Sequence, residues 1–210
     1  MQEGILVHYP IYMNTILLLY LSISFAHLSF RSEGYQTLGD LTKILLMPIL
    51  IVYVMQQGSY PLIVAALLFA TLGDALLTKG YQGSYFLWGM GSFAICHIFY
   101  SIHVLSLGVD WILTAIAFAG LLIPYGLLYR LLGKQKGSAK YLVYAALLCI
   151  LASLLTGLAS LLCIIGVLLF ILSDTMIGLN SLSMKQVSNT SEMGSYILAQ
   201  LFLILGLTTL

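Results

Sequence analysis

Residues 158–179, LASLLCIIGVLLFILSDTMIGL, form a 22-residue apolar stretch in which only Asp174 is charged. A helix of this length rises about 33 Å, enough to cross the hydrocarbon core of a bilayer. An ionised Asp near the bilayer centre costs roughly 2.5 to 3.5 kcal/mol, so a membrane helix that retains one usually turns it toward a partner, a cavity or a reaction. The stretch therefore predicts a membrane helix with a functional carboxylate.

A second aspartate lies in a similar context one hundred residues earlier. Asp74 lies in LGDALL (72–77), and Asp174 lies in LSDTMI (172–177). The pair hints at a duplicated unit of three or four helices, but the match is only six residues long, and chance similarity between apolar sequences is high. Either way, two carboxylates have to be accommodated within apolar helices.

Composition indicates an integral membrane protein. Of the 210 residues, 61% are hydrophobic and 7% are charged, and the mean hydropathy is +1.05. At about 20 residues per span, the length allows seven or eight crossings in one membrane domain covering residues 1–210. The fold class predicted is an all-α bundle of eight transmembrane helices, with spans near 11–30, 39–56, 60–78, 85–106, 111–132, 139–156, 158–179 and 193–210. The boundary at Gly157 leaves seven crossings with one longer broken helix as an alternative.

The basic residues orient this bundle, because all eight fall in or beside odd-numbered loops. They are Arg31, Lys43, Lys79, Arg130, Lys134, Lys136, Lys140 and Lys185. The positive-inside rule then predicts that the odd loops are cytoplasmic and that both termini lie on the non-cytoplasmic side. A seven-span chain would scatter the basic residues over both sides, so their distribution favours eight spans.

With this orientation, both aspartates lie in one layer of the cytoplasmic half. Asp74 is roughly 6 Å and Asp174 roughly 9 Å inside the predicted boundary. Lys43 enters the same layer from span two, and His97 lies deeper in span four. Tyr100 shares a face with His97, and Tyr196 and Gln200 are four residues apart on span eight. These polar faces predict a buried site between helices.

Five short fragments follow one another in a characteristic order and spacing: Thr42-Lys43 before Pro48, Gly73-Asp74 with Leu76 and Leu77, Phe93-Ala94-Ile95-Cys96-His97-Ile98-Phe99-Tyr100, Ser173-Asp174, and Tyr196-Ile197-Leu198-Ala199-Gln200-Leu201. Together they resemble the YhhN-like lysoplasmalogenase family over roughly residues 38–205. Family members usually carry Pro after the span-two Lys and Ala before the span-four His. Here Ile44 and Cys96 occupy those places, and neither change removes a reactive group.

The resemblance implies an eight-span hydrolase that cleaves the vinyl ether bond of 1-alkenyl lysophospholipids. The products would be a fatty aldehyde and glycerophosphoethanolamine or glycerophosphocholine. Such a reaction needs one group that protonates the alkene carbon and another that stabilises the cation and deprotonates water, as two carboxyls do in glycosidases. We expect Asp74 and Asp174 to be these catalytic groups, facing each other across a lipid-sized cavity. Lys43, His97, Tyr100, Tyr196 and Gln200 would bind or orient the substrate, the water or the carboxylates.

Other interpretations of these residues are open. The aspartates could hold the bundle together, for example in a pair with Lys43; Lys43 could instead bind the substrate phosphate or snorkel to the headgroups. His97 could be a hydrogen-bonded core residue. A zinc-dependent amide hydrolase of the alkaline ceramidase type is disfavoured because His97 and His103 are six residues apart, about 240° around a helix. A proton-coupled transporter would also retain intramembrane carboxylates, but Pro48 and Pro124 are not at matching depths in the two halves.

The remaining expectations concern ligands and location. No metal and no cofactor are expected, since Cys96, Cys149 and Cys163 show no ligand spacing. The expected partners are a lysophospholipid substrate and membrane lipids, with no nucleic acid. A bacterial inner membrane is the expected location, with the endoplasmic reticulum as the alternative.

Overall fold

The protein is a helical membrane bundle. A computed structural model describes residues 9–132, 137–182, 184 and 187–210, with side chains from Thr15 onward. Within these ranges the chain forms eight helices and no strands. They are α1 (Tyr9–Ser32), α2 (Gln36–Gln57), α3 (Pro61–Leu77), α4 (Gly83–Leu107), α5 (Trp111–Leu132), α6 (Ala139–Gly157), α7 (Leu161–Ser181) and α8 (Asn189–Thr208). The predicted all-α membrane class is confirmed.

Seven of these eight helices are long and apolar enough to cross a membrane. The remaining helix, α3, has 17 residues and rises about 25 Å, which is the short end of the range for spanning helices. The separation of α6 from α7 contradicts a single broken helix at Gly157, because the chain turns at Ala159 with φ of 54°. The orientation of the termini stays a prediction, and Lys134, Lys136 and Lys185 lie outside the described residues.

The helix ends follow local sequence signals. Asp110 caps α5 through Oδ1, which accepts hydrogen bonds from the backbone N–H groups of Ile112 and Leu113 at 2.8 and 3.0 Å. Ser188 caps α8 in the same way. Helix α8 therefore begins at Asn189, four residues before the start predicted from hydropathy. This correction brings Glu192 into the helix.

Seven of the helices close into a ring, and α5 lies outside it. Around the ring α1, α2, α3, α4, α6, α7 and α8 each pack against the next, and α8 packs against α1. The Tyr20 hydroxyl on α1 donates a 2.9 Å hydrogen bond to the Ile197 carbonyl on α8, where the ring closes. Helix α5 packs mainly against α6, and Leu132 is its only residue that is buried. Hydropathy along the chain does not distinguish such a peripheral helix from its neighbours.

Glycine allows the closest helix approaches near the aspartates. A Cβ at Gly73 would lie 2.6 Å from the Phe93 ring on α4, and a Cβ at Gly166 would lie 2.9 Å from the Leu203 backbone nitrogen on α8. Only glycine fits at these distances, because a side chain would push the helices apart. The turn that carries Asp74 is therefore pressed against α4.

Four loops meet at one end of the bundle, which we call the basic end. They are the α1–α2, α3–α4, α5–α6 and α7–α8 connections. Contacts between described residues join the helix ends here: Arg31 pairs with Asp40 across the α1–α2 connection at 2.5 Å, Tyr81 contacts Glu192 at 2.5 Å, and the Tyr141 and Ser181 hydroxyls are 2.5 Å apart. Asp74 and Asp174 lie three and seven residues from the ends of α3 and α7 at this end.

Candidate active site

Asp174, Tyr144 and His97 form one cluster from three helices. The Tyr144 hydroxyl on α6 donates a 2.7 Å hydrogen bond to Asp174 Oδ2 on α7. His97 Nε2 on α4 lies 3.0 Å from the Tyr144 oxygen and 3.6 Å from Asp174 Oδ2. While Asp174 is ionised, the single Tyr144 proton points at it, so His97 must be the donor to Tyr144 through Nε2–H.

Aromatic rings fix the imidazole of His97. Its ring centroid lies 4.9 Å from that of Phe170 in an edge-to-face arrangement and 5.3 Å from that of Tyr144. Within the described chain, His97 Nδ1 is buried and has no hydrogen-bond partner. Among the described residues, His27 Nε2 and His103 Nε2 are also buried without a partner, so the contacts of His97 with Tyr144 and Asp174, rather than its unpaired nitrogen, distinguish it.

Asp74 lies in a second cluster with Lys43 and three residues expected to orient the substrate. Lys43 Nζ lies 3.8 Å from Asp74 Oδ1, and the Tyr196 hydroxyl donates a 2.8 Å bond to Asp74 Oδ2. Gln200 Nε2 lies 3.5 Å from the Tyr196 oxygen and its Oε1 accepts a 2.9 Å bond from Tyr100. All five side chains are buried. Lys43 therefore does not snorkel but forms a buried ion pair.

A layer of aromatic rings lies between the two clusters. The Phe170 ring contacts His97 on one side and Tyr196 on the other, with centroids 4.9 and 5.8 Å apart. The Phe93 ring also meets Tyr196 edge to face at 5.8 Å. Each aspartate therefore has its own polar partners, and the rings connect them without a hydrogen bond.

Two cavities adjoin Asp174. The outer cavity, of about 260 Å³, lies between α5, α6 and α7. The inner cavity, of about 40 Å³, lies inside the ring between α3, α4, α6 and α7. Asp174, Tyr141, Tyr144 and Gly178 line both cavities, and Asp74 lines neither. Asp174 and Tyr144 therefore form part of the wall between the two cavities. Contrary to the expectation from the sequence, Asp74 and Asp174 do not face each other across either of these cavities.

Glu192 is a buried carboxylate that hydropathy did not reveal. The Tyr81 hydroxyl donates a 2.5 Å bond to Oε1, and Asn180 Nδ2 donates a 3.3 Å bond to Oε2. Burial and the adjacent Glu192 carboxylate raise the pKa of Tyr81, so its hydroxyl remains a donor. Ser173 Oγ also donates to the Glu192 carbonyl at 3.3 Å, beside Asp174 in sequence. Glu192 was missed because it directly precedes the apolar run from Met193.

Tyr144 was missed for another reason. Apart from Tyr100 and Tyr196, which share helix faces with other polar candidates, the tyrosines were expected at membrane interfaces, so Tyr144 was not a candidate. Tyr141, Tyr144 and Leu148 recur at helical spacing on α6, and all three line the outer cavity. That spacing is the signal from which an inward-facing tyrosine could have been found.

Other ionisable residues lie away from the two aspartates. Asp40 pairs with Arg31, and its side chain is 37% exposed. His27 Nδ1 lies 3.0 Å from Thr42 Oγ1, and His103 meets the Tyr60 ring edge to face at 5.9 Å. In the parts of the chain that the structure covers, no three His, Cys, Asp or Glu side chains come together as a metal-binding group.

A family model matches residues 38–207 and is described as the YhhN family. The chain belongs to the YhhN family. This family includes lysoplasmalogenases, and the match confirms the resemblance seen in the sequence. The matched YhhN region includes Lys43, Asp74, His97, Asp174 and Glu192, so all of the buried clusters above lie inside it. No curated protein and no solved structure matches the chain.

Proposed function

We propose that this YhhN-family protein is a lysoplasmalogenase, which hydrolyses the vinyl ether bond of 1-alkenyl lysophospholipids. The family match supports this activity, and one structural observation carries the assignment of the site: Asp174, hydrogen-bonded by Tyr144, lines a cavity of about 260 Å³ in the bundle. A carboxyl beside an apolar cavity suits a reaction in which a lipid carbon must be protonated.

The reaction needs one proton donor and one water. The donor transfers a proton to the second carbon of the alkenyl chain, which leaves an oxocarbenium ion at the first. Water adds to this carbon and loses a proton to the carboxylate. The resulting hemiacetal collapses, the proton moves to the glycerol oxygen, and the aldehyde leaves. The intermediate resembles that of glycosidases, where carboxyl groups perform the same transfers.

In this proposal Asp174 carries out the proton transfers. Asp174 lines the outer cavity, so it can protonate a lipid there and then accept a proton from a water molecule that adds to the same carbon. The inner cavity, of about 40 Å³, is large enough for at least one water molecule. Its wall is mainly apolar, and Asp174 would be the polar residue from which that water passes to the lipid. Tyr144 stabilises the ionised carboxylate, and His97 orients Tyr144.

Asp74 has a different role in the proposal. Its contact with Lys43 at 3.8 Å pairs its charge, and the aromatic layer separates it from the outer cavity. Because both groups lie in a low-dielectric interior, their mutual attraction is stronger than it would be in water. We assign it to holding Lys43 and α8 in place rather than to exchanging protons with substrate. A direct catalytic role for Asp74 stays a prediction.

The experiment compares alkenyl and acyl lysophospholipids with purified protein in nanodiscs. Wild-type protein is expected to release aldehyde from the alkenyl lipid and no fatty acid from the acyl lipid. Asp174→Asn should release no aldehyde, because an amide cannot carry the proton. Asp110→Asn is the matched control, since Asp110 caps α5 at the opposite end of the bundle and asparagine also caps helices. Full activity of Asp174→Asn would refute the proposal.

The membrane for this activity is expected to be a bacterial inner membrane or the endoplasmic reticulum, where lysophospholipids occur. A proton-coupled transporter is the alternative from another class. It predicts solute uptake that depends on a proton gradient and no aldehyde, so the same protein in sealed vesicles separates the two.

A further inference from the structure

The outer cavity has the chemistry of a hydrocarbon-chain site. Its wall is mainly apolar, with contributions such as Leu128 and Leu132 from α5 and Ala145 and Leu148 from α6. Its polar lining is concentrated where Asp174, Thr175, Tyr141 and Tyr144 come from α6 and α7. A cavity with an apolar body and one polar wall matches an amphiphile that carries a single chain.

The cavity also borders the membrane rather than the centre of the ring. Helix α5 packs mainly against α6, and α7 packs against α6 and α8. The space between α5 and α7 is therefore flanked by α6 alone. Leu131 and Met184, which line this space, are 64% and 52% exposed. Thr175, which lies deeper on α7, also lines this space and is exposed. At that depth the surroundings in a bilayer are lipid chains, so a chain can enter sideways.

A cation lies beside Tyr141, a residue that both cavities share. The Lys140 ammonium is 5.1 Å from the centroid of Tyr141 and 5.9 Å from that of Phe86. Lys140 precedes Tyr144 by four residues, about 6 Å along α6. In a lysophospholipid, the three glycerol carbons separate the phosphate from the chain oxygen, so a phosphate at Lys140 places that oxygen near Tyr144 and Asp174.

We infer that the outer cavity binds the hydrocarbon chain of a lysophospholipid that enters sideways from the bilayer between α5 and α7, with its phosphate at Lys140. The identity of this ligand as substrate rests on the proposed function. Lys140, on the exposed first turn of α6, takes the phosphate role for which Lys43 was a candidate, because Lys43 is buried beside Asp74. A volume of about 260 Å³ is near the lower limit for ligand pockets and suits one chain rather than two.

Gly178 offers a direct test of chain binding. It lines the outer cavity, and a Cβ there would meet nothing within 4 Å. Gly178→Leu therefore adds a bulky side chain to the wall of the outer cavity, which Gly178 shares with the inner one, without a clash at Cβ. Gly120 on α5 is also open at Cβ and does not line the cavity, so Gly120→Leu is the matched control. Both variants are first checked for an unchanged melting temperature.

The ligand for this test is a 1-alkyl lysophospholipid, whose saturated ether has no alkene to protonate. Its binding to purified protein, measured by native mass spectrometry, does not require turnover. We expect Gly178→Leu to bind the hexadecyl lipid about tenfold more weakly or worse, since the chain loses buried apolar area, and Gly120→Leu to bind like wild type. Equal affinity of all three proteins, or no binding to wild type, would overturn the inference.

A measurement on the wild-type chain covers the case in which Gly178→Leu misfolds. A lysophospholipid with a diazirine at the end of its alkyl chain should label α5 or α6 at residues that line the outer cavity. Labelling confined to the outer face of α5, around Ile116 and Ile123, would contradict the inference. If the chain site is labelled but alkenyl lipid is not hydrolysed, the proposed function fails while the binding site stands.

The phosphate role of Lys140 is tested in the same way. Lys140→Gln should weaken binding of the alkyl lysophospholipid several-fold and leave binding of the alkylglycerol without phosphate unchanged. Lys79→Gln is the control, because Lys79 is another exposed lysine at the basic end, in the α3–α4 loop. Equal losses of lysophospholipid affinity in Lys140→Gln and Lys79→Gln would show a general charge effect and contradict a phosphate site at Lys140.

Discussion

The Tyr144 hydroxyl donates a 2.7 Å hydrogen bond to Asp174 while its oxygen lies 3.0 Å from His97 Nε2. One phenol therefore links the imidazole to the carboxylate. Because this link lies in the wall between the outer and inner cavities, it places the Asp174 carboxylate between a larger apolar space and a water-sized one. The proposed chemistry depends on this position more than on the number of carboxylates in the bundle.

Tyr144→Phe should slow the reaction and leave substrate binding almost unchanged. The ring that contacts His97 is retained, but Asp174 loses a hydrogen bond to a charged group, which contributes about 1.5 to 3 kcal/mol. We expect kcat for aldehyde release to fall roughly 10- to 100-fold with KM within about twofold. Tyr129→Phe, on the exposed surface of α5, is the control. Wild-type kcat in Tyr144→Phe would show that the link is not used.

Asp74→Asn should destabilise the protein because it leaves Lys43 charged and unpaired in the interior. Breaking a buried pair from one side typically costs about 3 to 5 kcal/mol. The double variant Asp74→Asn with Lys43→Met removes both charges and should recover most of the melting temperature. Asp40→Asn, in the partly exposed pair with Arg31, should cost no more than about 1 kcal/mol.

The activity of that double variant separates two roles for Asp74. If Asp174 alone exchanges protons with substrate, the stable double variant retains measurable aldehyde release. If it is stable and has none, Asp74 is the second catalytic carboxyl expected from the sequence. Both outcomes are read from the same preparation, with Asp174→Asn as the inactive reference.

Tyr81 should make the free energy of unfolding fall more steeply with pH in alkaline solution, because the unfolded state releases the Tyr81 proton and the folded state retains it. The pKa of Tyr81 is raised by burial and by Glu192, whereas in the unfolded chain it is about 10. The contribution of Tyr81 to the free energy of unfolding is therefore complete below pH 10. It is lost progressively as the pH rises above that value toward the raised pKa of the folded state, because in that range only the unfolded state releases the proton. The slope of unfolding free energy above pH 10 should be shallower in Tyr81→Phe. An identical slope would mean that Tyr81 ionises equally in both states.

Gly73→Ala should destabilise the contact between α3 and α4. The new Cβ would lie 2.6 Å from the Phe93 ring, which itself packs against Tyr196. Overpacking of this kind costs about 1 to 3 kcal/mol. Gly91→Ala on α4 meets nothing within 4 Å and should be neutral or stabilising by up to about 1 kcal/mol. Thermal unfolding of the two variants provides the comparison, and equal melting temperatures would contradict the close packing.

Much of the fold could be predicted because apolar runs of spanning length need no tertiary information. Asp74, Asp174 and His97 were identified for the same reason, since a polar group in such a run is costly and conspicuous. Glu192 was not, because only the true start of α8 places it inside the bundle. The pairing of Lys43 with Asp74, and of Tyr144 with Asp174, depends on which helices are neighbours. Hydropathy does not encode that order, nor the position of α5 outside the ring.

The most direct test of the account is the fate of the transferred proton. Wild-type protein in nanodiscs is incubated in D₂O with a 1-alkenyl lysophospholipid, and the aldehyde is reduced at once to the alcohol so that later exchange is prevented. Protonation of the alkene carbon predicts one solvent deuterium at the second carbon of the chain, and no labelled product from Asp174→Asn. Aldehyde without deuterium at that carbon, or labelled aldehyde from Asp174→Asn at the wild-type rate, would contradict the mechanism.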